Sequence, residues 1–226
     1  MLLAIDTATR WTGLALHDGR FVVAESGWRA VNTQTVELSP AVAQMLGRAG
    51  CQATDLVAVA VAIGPGSYTG LRIGLGFAKG LAIANQTKLL GISTLDIVAA
   101  AQAEAPSALV VVAEAGRRRV CAGRYQWQGG KGWQSDGQPD IMSWPELLAA
   151  VDPPVVFAGE ISPEAAKLIR GAGKDYRQVS AAHSLRRAGY LAEIGWNHLR
   201  RGWTDDPAAL APIYLRDPAG ARLKDD

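Results

Sequence analysis

The residues nearest the N-terminus that could do chemistry are Asp6, Thr7 and Thr9, which follow an apolar run at residues 2–5. That run predicts a strand, and a second strand is predicted at residues 12–17. A carboxylate and two hydroxyls at the end of a strand can hold a phosphate or a metal ion, which would make this turn a vestigial nucleotide site. Alternatively, these side chains only close the turn by hydrogen bonding to backbone amides. Both interpretations stay open.

The most unusual stretch is glycine-rich: residues 64–80 read GPGSYTGLRIGLGFAKG. An apolar run at residues 56–63 predicts a buried strand before it, and the apolar spacing after it predicts a helix with Ser67 as the N-cap. Glycines recur within this helix at Gly70, Gly74, Gly76 and Gly80. Each costs about 0.5–1 kcal/mol relative to alanine. Close approach of another helix, from this chain or from a partner, would explain them, whereas an anion at the helix N-terminus would explain only those at its start.

Other catalytic and metal-binding patterns are missing from the sequence. The histidines, His17, His183 and His198, include no pair at the i, i+4 spacing of a zinc-binding helix, and Cys51 and Cys121 form no CxxC pair. The glycine-rich stretch lacks the Gly-Lys-Ser/Thr ending of a P-loop, and no GxSxG context surrounds a serine. We therefore assign no catalytic residue and no metal ligand to this chain.

Three basic runs could contact RNA phosphates. They are Arg117 to Arg119, Arg186 with Arg187, and Arg200 with Arg201. The alternative is that they are solvated turns and helix surfaces, which the near-neutral net charge of +2 favours. The sequence does not decide between the two.

Composition indicates a folded globular protein. Of the 226 residues, 49% are hydrophobic and 19% are charged, which excludes a disordered chain. No apolar run approaches the ~20 residues that a membrane-spanning helix needs, and the two unpaired cysteines are typical of a reducing compartment. We expect a cytoplasmic protein.

The order of predicted elements indicates an α/β protein of two lobes. A meander of three strands is followed by alternating helices and strands, which is typical of a mixed sheet with helices on both faces. The strand pattern restarts after residue 105. We therefore predict an N-terminal lobe at 1–105 and a smaller, degenerate second lobe at 106–226, whose last segment can pack on the first. The fold class is the two-lobed actin-like (ribonuclease-H-like) arrangement, with a loop at 129–138 and the last long helix starting at Ser184.

The helix before the buried strand carries its apolar face at Leu38, Val42 and Met45. Two starting points fit its sequence. It begins either with Pro40 at its first position, which suits the fixed backbone of proline, or near Thr33 with Pro40 inside the helix.

Two stretches, GPGSYTGLRIGLGFAKGLA and LLAIDTATRWTGLAL, resemble the TsaB family, the accessory subunits of bacterial tRNA threonylcarbamoyladenosine synthesis. GISTLD after the glycine-rich helix and APIYLR near the C-terminus resemble the same family. The resemblance implies an actin-like fold and a non-catalytic subunit that supports its paralogue TsaD. In such complexes, which include the ATPase TsaE, threonylcarbamoyl is transferred to the adenosine beside the anticodon of tRNA, and ATP and metal belong to the partner subunits.

The resemblance also implies docking on TsaD, or on a second copy in its absence, through a bundle of the helices at residues 33–49 and 67–84. It assigns the partner interface to Leu38, Val42, Met45, Gly66, Ser67, Tyr68, Thr69, Gly70, Leu71, Arg72, Gly74, Leu75 and Ala78. It implies no cofactor bound by this chain and no membrane partner. We expect Gly74→Leu to fold but to lose docking, because a large side chain would hold the helices apart.

Two other functions are alternatives. One is an independent actin-like phosphotransferase or ATPase that binds nucleotide through Asp6 and Thr9, and ATP turnover that is lost in Asp6→Ala would support it. The other is a peptidase, an activity attributed to the broader family. The missing metal ligands and nucleophile context argue against the peptidase.

Overall fold

The computed structural model describes residues 1–31 and 33–214, and these form two compact units. The first unit contains Met1–Ile97 and Arg187–Tyr214, and the second contains Val98–Arg186. The division predicted at residue 105 therefore lies inside the second unit, and the last part of the described chain returns to the first.

The first unit is built on a five-stranded mixed sheet. In chain order its elements up to the division are β1 (Leu2–Asp6), β2 (Trp11–His17), β3 (Val22–Arg29), α1 (Gln34–Arg48), a 3₁₀ turn (Ala53–Asp55), β4 (Ala58–Gly64), α2 (Tyr68–Asn85), β5 (Lys88–Ser93) and α3 (Thr94–Ala100), which the division crosses. The strand order is β3-β2-β1-β4-β5. β1, β2 and β3 are antiparallel, whereas β4 and β5 run parallel to β1. The predicted meander with parallel additions is confirmed.

The second unit repeats this plan. Its elements are β6 (Ala108–Glu114), β7 (Arg119–Gln128), β8 (Gly132–Ser135), β9 (Asp140–Ser143), α4 (Trp144–Ala149), β10 (Val155–Gly159), α5 (Pro163–Ala172), β11 (Tyr176–Gln178) and α6 (Ala181–Ser184). The strand order β8-β7-β6-β10-β11 matches that of the first sheet, with an antiparallel meander followed by two parallel strands, and β9 also pairs with β7. The shared order confirms the duplication and the predicted fold class.

Helices cover both faces of the first sheet. Successive side chains of a strand point to opposite faces. Leu3 and Ile5 of β1 therefore pack with the buried side chains of α1 and α2, whereas Leu2 and Ala4 pack with α7 (Ala188–Arg200). β1 is fully buried, as a central strand covered on both faces must be. This arrangement leaves α1 and α2 side by side on one face, each with an outer surface facing away from the sheet.

Two sequence predictions in the second half of the chain are wrong. The loop predicted at residues 129–138 contains β8, because the Trp133 ring packs edge-to-face on Trp127, with ring centroids 5.5 Å apart, and extends the sheet beside β7. The last long helix begins at Ala188 instead of Ser184. The backbone between α6 and α7 is extended where the chain passes from the second unit to the first, so the two helices cannot be continuous.

Candidate partner interface

The start of α2 is tied to the turn that follows β1. Ser67 is the N-cap, as predicted, because its hydroxyl accepts a hydrogen bond from the Gly70 amide at 3.3 Å. The Ser67 amide donates to the Ala8 carbonyl oxygen at 2.6 Å, and the Thr7 hydroxyl donates to the Gly70 carbonyl oxygen at 2.7 Å. These bonds fasten the first turn of the helix to the β1–β2 turn.

Three glycines permit this close approach. A Cβ on Gly66 would lie well inside van der Waals contact with the Ala8 carbonyl oxygen. A Cβ on Gly70 would overlap the Thr7 carbonyl oxygen, and one on Gly74 would overlap the Thr7 hydroxyl. From the sequence, an approaching helix would explain Gly70 and Gly74. That explanation is wrong for these two positions, because the neighbour is the β1–β2 turn of the same chain.

The side chains of Asp6 and Thr9 also bond within this turn. The fully buried Asp6 carboxylate accepts a hydrogen bond from the Ala8 amide at 2.8 Å, and the Thr9 hydroxyl accepts one from the Trp11 amide at 3.3 Å. This is the pattern of a turn closed by side-chain-to-backbone bonds. The Ala8 amide is therefore paired within the turn.

We expect Asp6→Ala to lower the free energy of unfolding by about 1–3 kcal/mol, because the buried Ala8 amide loses its acceptor. Urea unfolding of the purified chain measures this. Asp18→Ala is the matched control: Asp18 also accepts backbone amides, but in an exposed hairpin where water can replace it, so the loss should be smaller. An Asp6→Ala chain as stable as the unchanged protein would contradict a structural role for Asp6.

The structure divides the predicted interface residues into groups. Six apolar side chains lie in the hydrophobic core of the first unit: Leu38, Val42, Met45, Leu71, Leu75 and Ala78. These six cannot reach a partner while the core is intact. Of the others, Ser67, Tyr68, Thr69 and Arg72 are exposed. A partner that docks along α1 and α2 must therefore contact mainly side chains outside the predicted set.

The surface that α1 and α2 turn away from the sheet includes two narrow stripes in which small residues are frequent. They are Val36, Pro40, Ala43 and Gly47 on α1, and Gly76, Gly80 and Ile83 on α2, and all seven are exposed. We call these seven residues the outward helix face. A Cβ added to any of its three glycines would meet no atom of the described chain within 4 Å. The face is therefore open to close approach from outside.

The outward helix face is absent from the predicted set, although a helical wheel of α2 contains the signal for it. At about 100° per residue, Gly76 and Gly80 fall nearly opposite the apolar stripe of α2. Gly70 and Gly74 fall beside that stripe, on the side that packs inward. The four glycines of α2 therefore belong to two different surfaces.

Arg72, near the start of α2, is fixed by two tyrosines. Its guanidinium carbon lies 4.2 Å from the centroid of the Tyr68 ring, and its Nε donates to the Tyr214 hydroxyl at 3.0 Å, which raises the pKa of Arg72. Tyr214 belongs to the APIYLR motif, and the neighbouring Ile213 amide donates to the Ile63 carbonyl oxygen at 2.7 Å. The predicted packing of the C-terminal segment on a lobe is confirmed up to residue 214. Residues 215 and 216, which end the APIYLR motif, lie outside the described residues.

A protein metal site needs several ligating side chains close together, and the structure describes residues 1–31 and 33–214. Within these ranges, no cluster of three or more His, Cys, Asp or Glu side chains could hold a metal ion. Burial raises the pKa of the Cys121 thiol to about 12, so it is not a thiolate at neutral pH. None of the helices described is long and apolar enough to cross a membrane.

Comparison with protein families and solved structures agrees with this fold. The model of the TsaD family, described as tRNA N6-adenosine threonylcarbamoyltransferase, matches residues 30–146. Two solved structures from Pseudomonas aeruginosa superpose with TM-scores of 0.78 and 0.76, at 28% and 26% identity. The first is an uncharacterized protein with similarity to peptidase YeaZ, and the second is YeaZ. They cover 95% and 94% of this chain and 99% of each of those chains.

Curated relatives match the sequence as well. The tRNA threonylcarbamoyladenosine biosynthesis protein TsaB of Bacillus subtilis is 32% identical over 219 residues, which is 95% of this chain and 93% of that protein. TsaB of Escherichia coli is 40% identical over 94 residues, 42% of this chain and 40% of that protein. Because the match to the Bacillus protein spans nearly the full length of both chains, this chain belongs to the TsaB family.

Proposed function

We propose that this chain acts in tRNA threonylcarbamoyladenosine biosynthesis as the non-catalytic partner subunit of TsaD. Membership of the TsaB family supports a role in this process, since the relatives from Bacillus subtilis and Escherichia coli are named as proteins of threonylcarbamoyladenosine biosynthesis. The transfer of threonylcarbamoyl to the adenosine beside the anticodon of tRNA is assigned to TsaD. We also propose that TsaD and TsaE bind the ATP and the metal, and that the complex is cytoplasmic.

The observation that carries the subunit role is the outward helix face. Gly76 and Gly80 lie exposed inside a helix, where each costs about 0.5–1 kcal/mol relative to alanine. No contact within the described chain requires a glycine at either position. A missing side chain is useful at these positions if another backbone approaches from outside. A partner helix that lies along α2 would fill this space.

The remaining residues of the outward helix face suit a helix–helix contact. Val36 is 70% exposed and Ile83 is 65% exposed, and burying each in an interface contributes about 1–2 kcal/mol. The small residues between them allow two helices to pack at the short end of the 8–10 Å range of interaxial distances. An interface with this composition is stabilised by close packing of backbones more than by large side chains.

A second copy of this chain can use the same outward helix face. The homodimer and the complex with TsaD would then be mutually exclusive, because one face cannot hold two partners. Adding TsaD should therefore dissociate the homodimer instead of building a larger assembly on it. TsaE would join through surfaces of the resulting complex.

Sedimentation velocity of the purified chain, alone and mixed with TsaD of the same organism, tests the proposal. We expect a 1:1 heterodimer to replace the free chain and any homodimer at micromolar concentration. A chain whose sedimentation is unchanged by TsaD would overturn the subunit role. ATP turnover by the isolated chain would instead favour an independent nucleotide-binding enzyme.

A further inference from the structure

The three basic runs of the sequence differ in the residues that surround them. Arg186 is buried and pairs with Glu160 at 3.6 Å, and Arg187 pairs with Glu25. These two arginines are bound within their own units. Both charges are therefore paired with carboxylates within the chain.

The run at the end of α7 has a local explanation. Arg200 is in the last turn of the helix and Arg201 is its C-cap, where a positive charge is favoured by the helix dipole. The guanidinium carbon of Arg201 also lies 5.2 Å from the centroid of the Trp203 ring. Both residues contribute to the end of the helix without a partner molecule.

Arg117 and Arg118 have no such explanation. They form the turn between β6 and β7, which is closed by hydrogen bonds from the Ala115 amide to the Arg119 carbonyl oxygen and from the Arg119 amide to the Gly116 carbonyl oxygen. Arg117 has φ +50° and Arg118 has φ +59°, in the left-handed region. Glycine or asparagine adopts this conformation more easily than arginine does. Turn geometry therefore does not account for arginine at these two positions.

Neither arginine at the tip of this turn forms a salt bridge with a described residue, although Glu114 and Glu164 line the same pocket as Arg118. Arg117 and Arg118 are both exposed, and Arg117 makes no hydrogen bond or salt bridge to any residue in the described part of the chain. The pKa of Glu164 is lowered mainly by hydrogen bonds with its own amide and Ser162, and less by nearby charges that include Arg118. Arg119 is held against the sheet by donating to the Ile141 carbonyl oxygen at 3.2 Å. The two arginines at the tip thus remain available to an anion.

We propose that Arg117 and Arg118 contact phosphates of the tRNA backbone in the assembled complex. The inference rests on the proposed function, which makes tRNA the substrate of that complex. Guanidinium groups bind phosphates bidentately, and such contacts orient a nucleic acid without reading its sequence. A residue type that is unfavourable for a turn is often retained because of function. An acidic protein surface is the competing partner, and the experiment separates the two.

The experiment measures binding of a fluorescently labelled tRNA that reads codons beginning with A to the complex of this chain with TsaD, over a range of salt concentrations. Arg117→Gly combined with Arg118→Gly removes both charges, and glycine fits the left-handed backbone, so the melting temperature should not fall. Loss of two phosphate contacts should weaken binding about tenfold or more near 0.1 M salt. It should also reduce the slope of log K against log salt by about 1.4–1.8.

Two further variants make the result specific. Arg117→Lys with Arg118→Lys keeps the charges and should retain most of the salt slope. Arg200→Gln with Arg201→Gln removes the same net charge elsewhere and should change affinity less than twofold. Unchanged tRNA binding in the glycine variant, or equal losses in the glycine and glutamine variants, would overturn the inference.

Assembly is measured first, by sedimentation. If the unchanged chain does not bind TsaD, the proposed function is overturned, and the inference that depends on it is overturned as well. If the glycine variant binds TsaD more weakly than the unchanged chain does, the turn contacts a protein, which overturns the RNA assignment. Arg117→Asn with Arg118→Asn is a second charge-free variant, since asparagine also tolerates the left-handed conformation. It must reproduce the loss of tRNA binding.

Discussion

Gly70→Ala is expected to lower the free energy of unfolding by about 3 kcal/mol, a large fraction of the stability of an ordinary domain. The added Cβ would overlap the carbonyl oxygen of Thr7, which belongs to backbone fixed between β1 and β2. Relief of the clash would move the start of α2 away from the turn and break the bond from the Thr7 hydroxyl to the Gly70 carbonyl oxygen. Urea unfolding followed by circular dichroism measures the loss.

Gly80→Ala is the matched control, because it adds the same atom to the same helix where no described atom lies within 4 Å. Alanine is the better helix former, so this variant should gain about 0.5–1 kcal/mol. Equal stabilities for Gly70→Ala and Gly80→Ala would contradict the assignment of the two glycines to different surfaces.

The same packing changes the expectation for Gly74→Leu. From the sequence, this variant should fold and lose only docking. In the structure, a side chain at Gly74 would meet the Thr7 hydroxyl inside the chain. We therefore expect Gly74→Leu to be destabilised, so that any loss of docking would follow from damage to the fold.

Gly76→Leu is expected to abolish binding of TsaD, with the dissociation constant raised more than about 100-fold, while the chain stays folded. A Cβ at this position meets no described atom within 4 Å, and leucine is a better helix former than glycine. In a close helix pair the same side chain would separate the backbones. That would cost about 3 kcal/mol or more, which corresponds to the stated change in affinity. Titration calorimetry or sedimentation with TsaD measures the loss.

Gly171→Leu provides the control for this prediction. Gly171 is exposed in α5 of the second unit, and a Cβ there also meets no described atom within 4 Å. This variant should be as stable as Gly76→Leu and should bind TsaD normally. If both variants bind TsaD like the unchanged chain, the outward helix face is not the docking surface.

Much of the fold could be predicted because it depends on local patterns. The alternation of strands and helices gave the meander and its parallel additions, and Ser67 marked the start of α2 through its capping hydroxyl. The sequence predicts the ends of helices and strands less well where tertiary contacts decide whether an element forms. β8 forms in a polar, glycine-rich segment because Trp133 packs against Trp127, and no local pattern indicates that contact.

The candidate interface is harder to predict, because the most hydrophobic side of each helix is the side that packs in the core. Leu38, Val42 and Leu75 form the most obvious stripes of α1 and α2, but an amphipathic helix buries such a stripe in its own core first. The surface left for a partner combines small residues, such as Gly76 and Gly80, with the exposed side chains of Val36 and Ile83. Only the structure shows which glycines already have a close neighbour inside the chain.

The most direct test of the docking surface is hydrogen–deuterium exchange of this chain with and without TsaD. We predict that slower exchange on binding will concentrate in peptides covering α1 and α2, with β10, α5 and β11 of the second unit unchanged. Protection of the second unit with none in α1 or α2 would contradict the assignment of docking to the outward helix face.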